Sequence, residues 1–343
     1  MLRVWRVFVY TVVVLTLGVL AAVGWLRFTA PEAQRQPDWS LGPPLPQAFG
    51  ELASVGLPHE DGGDRLVVLS GITGFGRVVD DVFMLEPGAD EWQRGPSLPA
   101  PRHHAAAAVL DGAVVVAGGA ESLAGSPWQG STEVWRWTPG GEWESMPGLP
   151  EPRWGHRMVE YGGRLYVIGG RGESEDPVAS FIYRPDHEGW AVASPLPAPR
   201  DHLSLVVVEG RIWAIGGRSP GNTARVDIFD PGMETWAEGP ALPHPTSGAA
   251  EAAIDGRIHV YGGEVPALFG GGMVEHHWVI DAGSPRREWR EAPPPPLAVH
   301  GADGAVVDGR FVIAGGASRH GLTSLAAWRD TVQVLDRVAA GRD

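Results

Sequence analysis

A tryptophan recurs about every fifty residues along this chain, and the repetition constrains the fold more than any other feature. The recurring residues are Trp39, Trp92, Trp143, Trp190, Trp236 and Trp289. A step rich in Pro and Leu follows each of them, for example PSLPAPR, PGLPEPR and SPLPAPR. Self-similarity at a fixed period of this length indicates an array of equivalent structural units that bury their apolar surfaces against one another. The chain therefore contains six units.

Each unit also carries two short apolar runs that end at a pair of small residues. The pairs are Gly118-Gly119, Gly169-Gly170, Gly216-Gly217, Gly262-Gly263 and Gly315-Gly316, with Ser70-Gly71 in the equivalent place of the first unit. Turns such as Asp111-Gly112 and Asp308-Gly309 separate the two runs, which is a strong hairpin signal because both central residues need positive φ. A third apolar run and the tryptophan segment complete the unit. Four short antiparallel strands per unit are typical of a propeller blade, so the sequence predicts an all-β, six-bladed β-propeller.

The two ends of the repeat region complement one another. The last unit ends with a third apolar run, Val332–Leu335, that no tryptophan follows, whereas Trp39 precedes every first strand. We expect the segment around Trp39 to form the outer strand of the sixth blade, because closing the ring hides strand edges that would otherwise pair with other molecules. The preceding chain should then arrive on the face of the hairpin turns. The loops after the diglycines should lie on the opposite face.

The N-terminal segment has the character of a membrane signal. Residues 7–26 carry no charge, two arginines precede them at positions 3 and 6, and Arg27 follows. Such a run forms a helix of about 30 Å, the thickness of the hydrocarbon layer, and the arginine distribution favours a cytoplasmic N-terminus. The sequence thus predicts a cytoplasmic segment 1–6, a single transmembrane signal anchor 7–26, a linker 27–38, an extracytoplasmic propeller 39–338 in the periplasm or at the cell surface, and a tail 339–343. A cleaved signal and a secreted propeller are the alternative.

Composition excludes several classes of chemistry. The chain has no Cys, and all of its 27 basic residues are Arg. Thiolate nucleophiles, iron–sulfur clusters and Lys Schiff bases are therefore impossible. With 41 acidic residues the net charge is −14, so nucleic acid, which requires a basic surface, is not an expected partner. The Arg-only composition, rich in Ala, Gly and Pro, is typical of a GC-rich bacterial genome.

The order of features within a unit resembles the kelch repeat. An apolar strand, Gly-Gly, a variable loop, an aromatic residue before Asp-Pro, a Trp and then Leu-Pro-x-Pro-Arg recur, most clearly in PRDHLSLVVVEGRIWAIGGR and VDIFDPGMETWAEGPALP. The resemblance covers about residues 39–338 and implies a six-bladed kelch propeller. It also implies that the Pro-Arg arginines form hydrogen bonds between blades, and that the position two residues beyond each pair lines a binding mouth. The arginines are Arg102, Arg153 and Arg200, and the mouth positions are His104, Gly155 and His202.

Polar residues gather on the face of the loops that follow the diglycines. Loops held by a rigid scaffold commonly carry binding sites. We expect ligand contacts from His104, Glu121, Arg171, His202, Arg218, Glu264 and His300. Imidazole also binds zinc and copper, but His104, His156 and His202 belong to different units and their spacing does not fix whether they converge. The sequence therefore predicts neither a metal site nor a cofactor.

Two families of enzymes use kelch propellers, and the residues discriminate between them. Galactose oxidase-like copper enzymes need a Tyr linked covalently to a Cys, and the absence of Cys excludes that mechanism. Sialic acid (N-acetylneuraminate) epimerases carry a Gly-Glu after a second strand and an Arg several residues further on. Gly263-Glu264 resembles the first part, but the sequence VPALFGGGMV that follows contains no Arg. If the chain is such an enzyme, Glu264 is the candidate general base.

The sequence therefore favours a non-catalytic binding function. A propeller tethered to a membrane would present the diglycine loops, distal to that membrane, to a protein or glycan ligand. A carbohydrate isomerase resembling the sialic acid epimerases is the alternative, and a structural spacer is a third hypothesis. The fold alone does not decide between them.

Overall fold

Six antiparallel sheets of four strands follow one another along the chain. The computed structural model describes residues 2–29, 31–124, 129–172, 180–187, 189–265 and 271–336, so the predicted tail 339–343 lies outside the described residues. The first strand of every sheet contacts the first strands of the sheets before and after it, and the last sheet contacts the first. The six innermost strands therefore surround a central channel, and the predicted six-bladed β-propeller is confirmed.

The blades share one plan, in which strands pass back and forth from the channel to the rim. In blades 1 to 3 the strands, from innermost to outermost, are Ala53–Pro58, Asp64–Thr73, Arg77–Leu85 and Gln93–Arg94; Ala106–Leu110, Ala113–Ala117, Val134–Trp137 and Trp143–Met146; and Trp154–Tyr161, Arg164–Arg171, Ser180–Arg184 and Gly189–Ala193. In blades 4 to 6 they are Ser204–Val208, Arg211–Ile215, Val226–Asp230 and Thr235–Glu238; Ala250–Ile254, Arg257–Tyr261, His277–Asp281 and Arg290–Ala292; and Asp303–Val307, Arg310–Ala314, Val332–Leu335 and Trp39–Leu41.

Short elements outside the blades lie mainly in the loops after the second strands. A hairpin of Glu264–Val265 and Gly272–Met273 follows the diglycine of the fifth blade, and a 3₁₀ helix, Gly321–Ala326, follows that of the sixth blade. The other 3₁₀ helices are Gly74–Gly76 and Pro185–His187. These loops share one face of the propeller, which we call the loop face. The turns between first and second strands lie on the opposite face, the hairpin face.

The repeating tryptophans join consecutive units. Each indole Nε1–H donates a hydrogen bond to a main-chain carbonyl in the Pro-rich step of the preceding unit. The pairs are Trp39 with Pro293 (3.1 Å), Trp92 with Pro43 (3.1 Å), Trp143 with Pro96 (2.9 Å), Trp190 with Pro147 (2.8 Å), Trp236 with Ser194 (3.1 Å) and Trp289 with Pro240 (2.8 Å). The indole combines a large apolar area with one polar atom that needs a partner, which explains why the same residue type recurs at this position.

The ring closes as the sequence predicts. Trp39–Leu41 pairs antiparallel with Val332–Leu335, Trp39 lying opposite Leu335 and Leu41 opposite Gln333. The sixth blade therefore takes three strands from the end of the repeat region and one from its beginning.

Within the described ranges, the buried arginines of the Pro-Arg pairs do not form the hydrogen bonds between blades that the family resemblance implies. Each guanidinium contacts its own blade, and the pairs are Arg102 with Glu133, Arg153 over the ring of Phe181, and Arg200 with Asp227. The main chain provides the contact between blades instead, since the carbonyl of Arg102 accepts from the Gly71 amide at 2.7 Å. The same contact recurs from the Gly119 amide to Arg153 at 2.8 Å and from the Gly170 amide to Arg200 at 3.0 Å.

The N-terminal α-helix, Leu2–Phe28, precedes the propeller. Among the residues that the structure describes, no helix combines the length and the apolar character needed to cross a membrane, and the predicted transmembrane span at 7–26 is not confirmed.

The helix also ends on an unexpected side of the propeller. Arg319, in the last diglycine loop, donates to the carbonyl of Thr29 at 2.7 Å and to its hydroxyl at 2.8 Å. The amide of Gln34 bonds to the carbonyl of Pro296 at 2.7 Å. The helix thus ends beside the loop face, and the expected approach from the hairpin face is wrong because the linker folds back along the sixth blade.

Candidate functional site

A closed circle of main-chain hydrogen bonds surrounds the channel at the loop face. One residue per blade takes part, just before or within the first strand, and each amide donates to the carbonyl of its counterpart in the preceding blade at 2.6–3.1 Å. The six residues are Glu51, His104, Gly155, His202, Gly248 and Gly301. All six have φ between 51° and 65°, the left-handed region that favours glycine. We call them the ring residues.

Three ring residues are glycine, and at two of them the missing side chain makes room for the side chain of another ring residue. A Cβ atom at Gly301 would lie 2.5 Å from Oε1 of Glu51, and one at Gly155 would lie 3.3 Å from the imidazole of His202. Because Gly155 lies between them, the rings of His104 and His202 meet across it with centroids 4.8 Å apart. The side chains of Glu51, His104 and His202 therefore converge at the mouth of the channel.

His104 lies in a chain of buried polar groups. Its Nδ1 is 2.6 Å from Nδ1 of His103, and its Nε2 is 3.1 Å from Oε2 of Glu51. Burial, followed by the charges of His202 and other neighbours, lowers the pKa of His104 well below its usual value, so the ring is neutral at physiological pH. The indole of Trp154 contacts both histidines edge-on, at 6.0 Å from His104 and 6.2 Å from His202.

Asp201 organises the cationic part of the mouth. Its carboxylate bonds to Nδ1 of His202 and to Nε of Arg171, and it accepts from Nε of Arg218 at 2.9 Å. Burial raises the pKa of Asp201, but His202, Arg218 and Arg171 together outweigh this and hold that pKa well below the usual value. Arg218 also donates from Nη2 to Nε2 of His202 at 3.1 Å.

Glu264 extends the same network to the fifth and sixth blades. Its carboxylate lies 3.4 Å from Nη1 of Arg218 and accepts from the Gly321 amide at 2.9 Å, and Nε2 of His300 lies 3.7 Å away. Burial raises the pKa of Glu264, but His300, the Gly321 amide and Arg218 lower it by more. The carboxylate is therefore ionised at neutral pH, and two donors, Arg218 and the Gly321 amide, hold it in place. We call Arg171, Asp201, His202, Arg218 and Glu264 the mouth network.

Among the seven predicted ligand residues, only Glu121 lies apart from the others; His156, which the sequence raised only as a possible metal ligand, also lies apart. Glu121 is exposed and pairs with Arg102 at 3.0 Å, away from the mouth network. His156 is buried against Gly118 of the second blade, whose missing side chain leaves the space that the imidazole occupies. Glu51 and Asp201 were not predicted. Asp201 could have been found from its place between Pro-Arg and His202, whereas nothing in the first unit marks Glu51.

Below the ring residues, Arg157 crosses the channel. Its guanidinium donates to Asp303 at 2.6 Å and lies 3.1 Å from Glu251. Burial raises the pKa of Glu251 to about 7, although Arg157 opposes the shift. Beyond these charges the channel widens into a cavity of about 450 Å³, lined by the first strands of all six blades and mostly by Ala and Val.

One group of side chains has the composition of a metal site. In the described part of the chain, Glu51, His104 and His202 each offer a ligand atom, and these atoms lie within 4.8 Å of one another. Two imidazoles and one carboxylate are a donor set that suits zinc.

Comparison with known proteins gives two kinds of match. A model of the kelch motif matches residues 199–243, which contain the fourth blade. Kelch repeat protein M-T8 of Myxoma virus (strain Lausanne) is 27% identical over 153 residues, 44% of this chain and 28% of the viral protein. Kelch-like protein 6 of Homo sapiens is 28% identical over 149 residues, 40% of this chain and 23% of the human protein. The matches thus span about a quarter of the length of each of these curated relatives.

Among solved structures, that of YjhT is similar with a TM-score of 0.69. The likeness covers 86% of this chain and 99% of that one at 16% sequence identity. At this identity the comparison concerns the fold alone.

Proposed function

Because this chain is a kelch-repeat β-propeller, we propose that it is an interaction module that binds a protein or glycan ligand at the mouth of its channel. The observation that carries the proposal is the convergence of four blades on one polar network. Arg171 comes from the third blade, Asp201 and Arg218 from the fourth and Glu264 from the fifth, and the Gly321 amide of the sixth blade binds Glu264. Such convergence on a rigid scaffold is typical of a binding site.

Arg171 indicates an acidic group on the ligand. Its side chain is 50% exposed, bonds to Asp201 through Nε and lies over the ring of Trp154 at 5.9 Å. The contacts at Nε and at the ring face fix the guanidinium plane. A planar guanidinium held in this way suits two parallel hydrogen bonds to a carboxylate. We therefore expect acidic peptides or acidic glycans among the ligands.

Arrays of acidic peptides and glycans probed with the full chain test this proposal. Arg171→Gln combined with Arg218→Gln should weaken binding by at least about tenfold, because buried charge pairs at an interface cost about 2 kcal/mol or more when broken. Arg211→Gln is the matched control, since Arg211 is 47% exposed and pairs with Asp230 on the hairpin face. If the double variant keeps every ligand of the parent, the mouth network is not the site.

A carbohydrate isomerase is the second candidate, and one contact favours it. The arginine that is missing after Glu264 in the sequence has a counterpart in Arg218, which reaches Glu264 from the neighbouring blade at 3.4 Å. The lowered pKa of Glu264 opposes this candidate, since a weakly basic carboxylate is a poor general base at neutral pH. Interconversion of sialic acid anomers or epimers, followed by NMR, should be lost in Glu264→Gln if this candidate is right. Absence of turnover in the parent chain would remove it.

The cellular location is a further part of the proposal and is supported by the sequence alone. The uncharged run 7–26 and its flanking arginines favour an extracytoplasmic propeller, either tethered or released after cleavage. Fractionation of cells that produce the full chain, with protease added to intact cells or spheroplasts, tests this location. Protection of the propeller from the protease until the cytoplasm is opened would contradict it.

A further inference from the structure

We propose that Glu51, His104 and His202 bind one divalent transition-metal ion, with Zn²⁺ as the best match to the donor set. The three residues occupy ring positions in blades 1, 2 and 4, and their ligand atoms lie within 4.8 Å of one another. Around a tetrahedral Zn²⁺, ligand atoms at about 2.0–2.2 Å from the ion are roughly 3.3 Å apart. Closing the site therefore requires the ligand atoms to approach one another by at most about 1.5 Å.

The hydrogen bonds of His103 and His104 direct a lone pair of His104 towards Glu51. Nε2 of His103 lies 3.3 Å from the carbonyl of Ser122, which can only accept, so this nitrogen carries the proton. Nδ1 of His103 can then accept from Nδ1–H of His104 at 2.6 Å. With Nδ1 of His104 used in this way, its Nε2 faces a carboxylate oxygen of Glu51 at 3.1 Å.

The hydrogen bonds of His202 place its lone pair on Nε2. Its Nδ1 lies against the carboxylate of Asp201, which accepts the proton of that nitrogen. Nε2 is therefore an acceptor, and Arg218 donates to it at 3.1 Å. An imidazole that donates Nδ1–H to a carboxylate while Nε2 is directed at a cation has the arrangement that orients metal-binding histidines.

The backbone supports a specific role for these three side chains. Left-handed φ costs a residue with a Cβ about 1–2 kcal/mol relative to right-handed φ, and glycine avoids this cost. Glycine occupies three ring positions, yet Glu51, His104 and His202 adopt the same conformation. Strained residues of this kind gather where a function requires them.

Arg218 is the internal competitor of the metal ion. Its guanidinium already donates to Nε2 of His202, and its contacts with Asp201 at 2.9 Å and Glu264 at 3.4 Å keep it there. A metal ion must displace this one hydrogen bond and must overcome the repulsion of the positively charged Arg218 guanidinium. Removal of the guanidinium should therefore increase metal affinity, a result that a purely structural role of the three ring side chains would not produce.

Metal binding by the full chain, purified in the presence of a chelator and then dialysed, tests the proposal. Calorimetry with Zn²⁺ should give one ion per chain, and Co²⁺ should develop the visible d–d absorption of a four- or five-coordinate site. Glu51→Gln and His202→Gln should each weaken binding by at least about tenfold, and Arg218→Gln should strengthen it several-fold. Glu51→Gln keeps the size of the side chain, so a folded variant is expected, and a melting curve checks this.

His276→Gln is the matched control. His276 lies 2.7 Å from Glu291 and stacks near His244, so it belongs to another group of two imidazoles and a carboxylate, outside the channel. This variant should bind Zn²⁺ like the parent. Absence of both heat and d–d absorption in the parent chain overturns the proposal. Unchanged affinity in both folded ring variants, or loss of binding in His276→Gln, also overturns it. Ligand binding through Arg171 is measured separately on the arrays, so the failure of one proposal is distinguishable from the failure of the other.

Discussion

The two ends of the central channel are formed by the same six strands and differ in chemistry. At the loop face the ring residues leave a cavity of only about 30 Å³, and the nearby side chains are imidazoles, carboxylates and guanidiniums. Towards the hairpin face the cavity is about 450 Å³ and is lined mainly by Ala and Val, with Arg157, Glu251 and Asp303 at the end nearer the loop face. The sixfold backbone thus determines the shape of the channel, and a few side chains at successive positions along the strands determine its chemistry.

The two ends also differ in how their charges are balanced. Around Arg157 one cation faces two carboxylates away from bulk solvent, and the amides of Ser54 and Leu205 donate to those carboxylates at 2.7 and 3.2 Å. At the mouth, Arg171 is half exposed, and water can replace any partner that it loses. We therefore expect the inner charges to contribute mainly to stability, and the proposed function assigns recognition to the outer charges.

The largest expected effect is a loss of stability when the inner cation, Arg157, is replaced. Arg157→Met should lower the free energy of unfolding by about 3–5 kcal/mol, because Glu251 and Asp303 are left facing one another without a counter-ion. Arg171→Gln, the same type of residue at the outer end, should change it by less than about 1 kcal/mol. Urea denaturation at pH 7.5 measures both. Equal losses in the two variants would contradict the distinction between the ends.

The second effect is a pH dependence of stability, which should have opposite signs at the two ends of the channel. Burial, then Arg153 and Arg157, lower the pKa of His156 beside the mouth to about 3, so its contribution to stability is complete above about pH 6.5 and is lost as the pH falls below that value. The pKa of Glu251 is raised to about 7, so its contribution is complete below about pH 4.5 and is lost as the pH rises towards 7. Each group should change the free energy of unfolding by at most about 1.4 kcal/mol per pH unit.

Denaturation curves between pH 4.5 and 7.5 separate these two contributions. In Glu251→Gln the loss of stability on raising the pH should disappear, and the loss on acidification should remain. In His156→Asn the loss on acidification should become smaller. A parallel profile in the parent chain and in Glu251→Gln would show that Glu251 does not titrate in this range.

The smallest effect compares two glycines within the ring. Gly248→Ala and Gly301→Ala both place a side chain at positive φ. Each should lower the free energy of unfolding by about 1 kcal/mol. Only at Gly301 does the new Cβ approach Oε1 of Glu51, at 2.5 Å, whereas at Gly248 the nearest atom is 3.6 Å away. Zn²⁺ affinity, measured by calorimetry, should therefore fall in Gly301→Ala and persist in Gly248→Ala. Equal affinities would indicate that the Glu51 carboxylate does not need its present position.

The fold could be predicted because its determinants are local and repeat. Hairpin turns such as Asp111-Gly112 have the expected positive φ, and the unpaired third strand of the last unit correctly predicted the pairing with Trp39–Leu41. The direction from which the helix approaches could not be predicted. It depends on contacts of Thr29 and Gln34 with distant residues, which no local pattern encodes.

The candidate site could be predicted only in part, because convergence depends on which way each side chain points. The position two residues after Pro-Arg leads to His104 and His202, both of which are ring residues. His156 immediately follows the ring residue Gly155 and points away from the channel, since neighbouring residues in a strand face opposite sides. Glu51 was missed because the first unit has AFGEL in place of a Pro-Arg step.

The circle of main-chain hydrogen bonds has an electrostatic consequence. Each peptide group carries a dipole of about 3.5 D, and aligned dipoles in a helix sum to a field that attracts anions at its N-terminus. Here the six N–H groups all point in the same rotational sense around a closed loop, so their in-plane components cancel. The circle therefore adds no net dipole in its own plane. Which ions or ligands the opening attracts then depends on the side chains around it, and a few substitutions there can reverse that preference while the propeller stays the same.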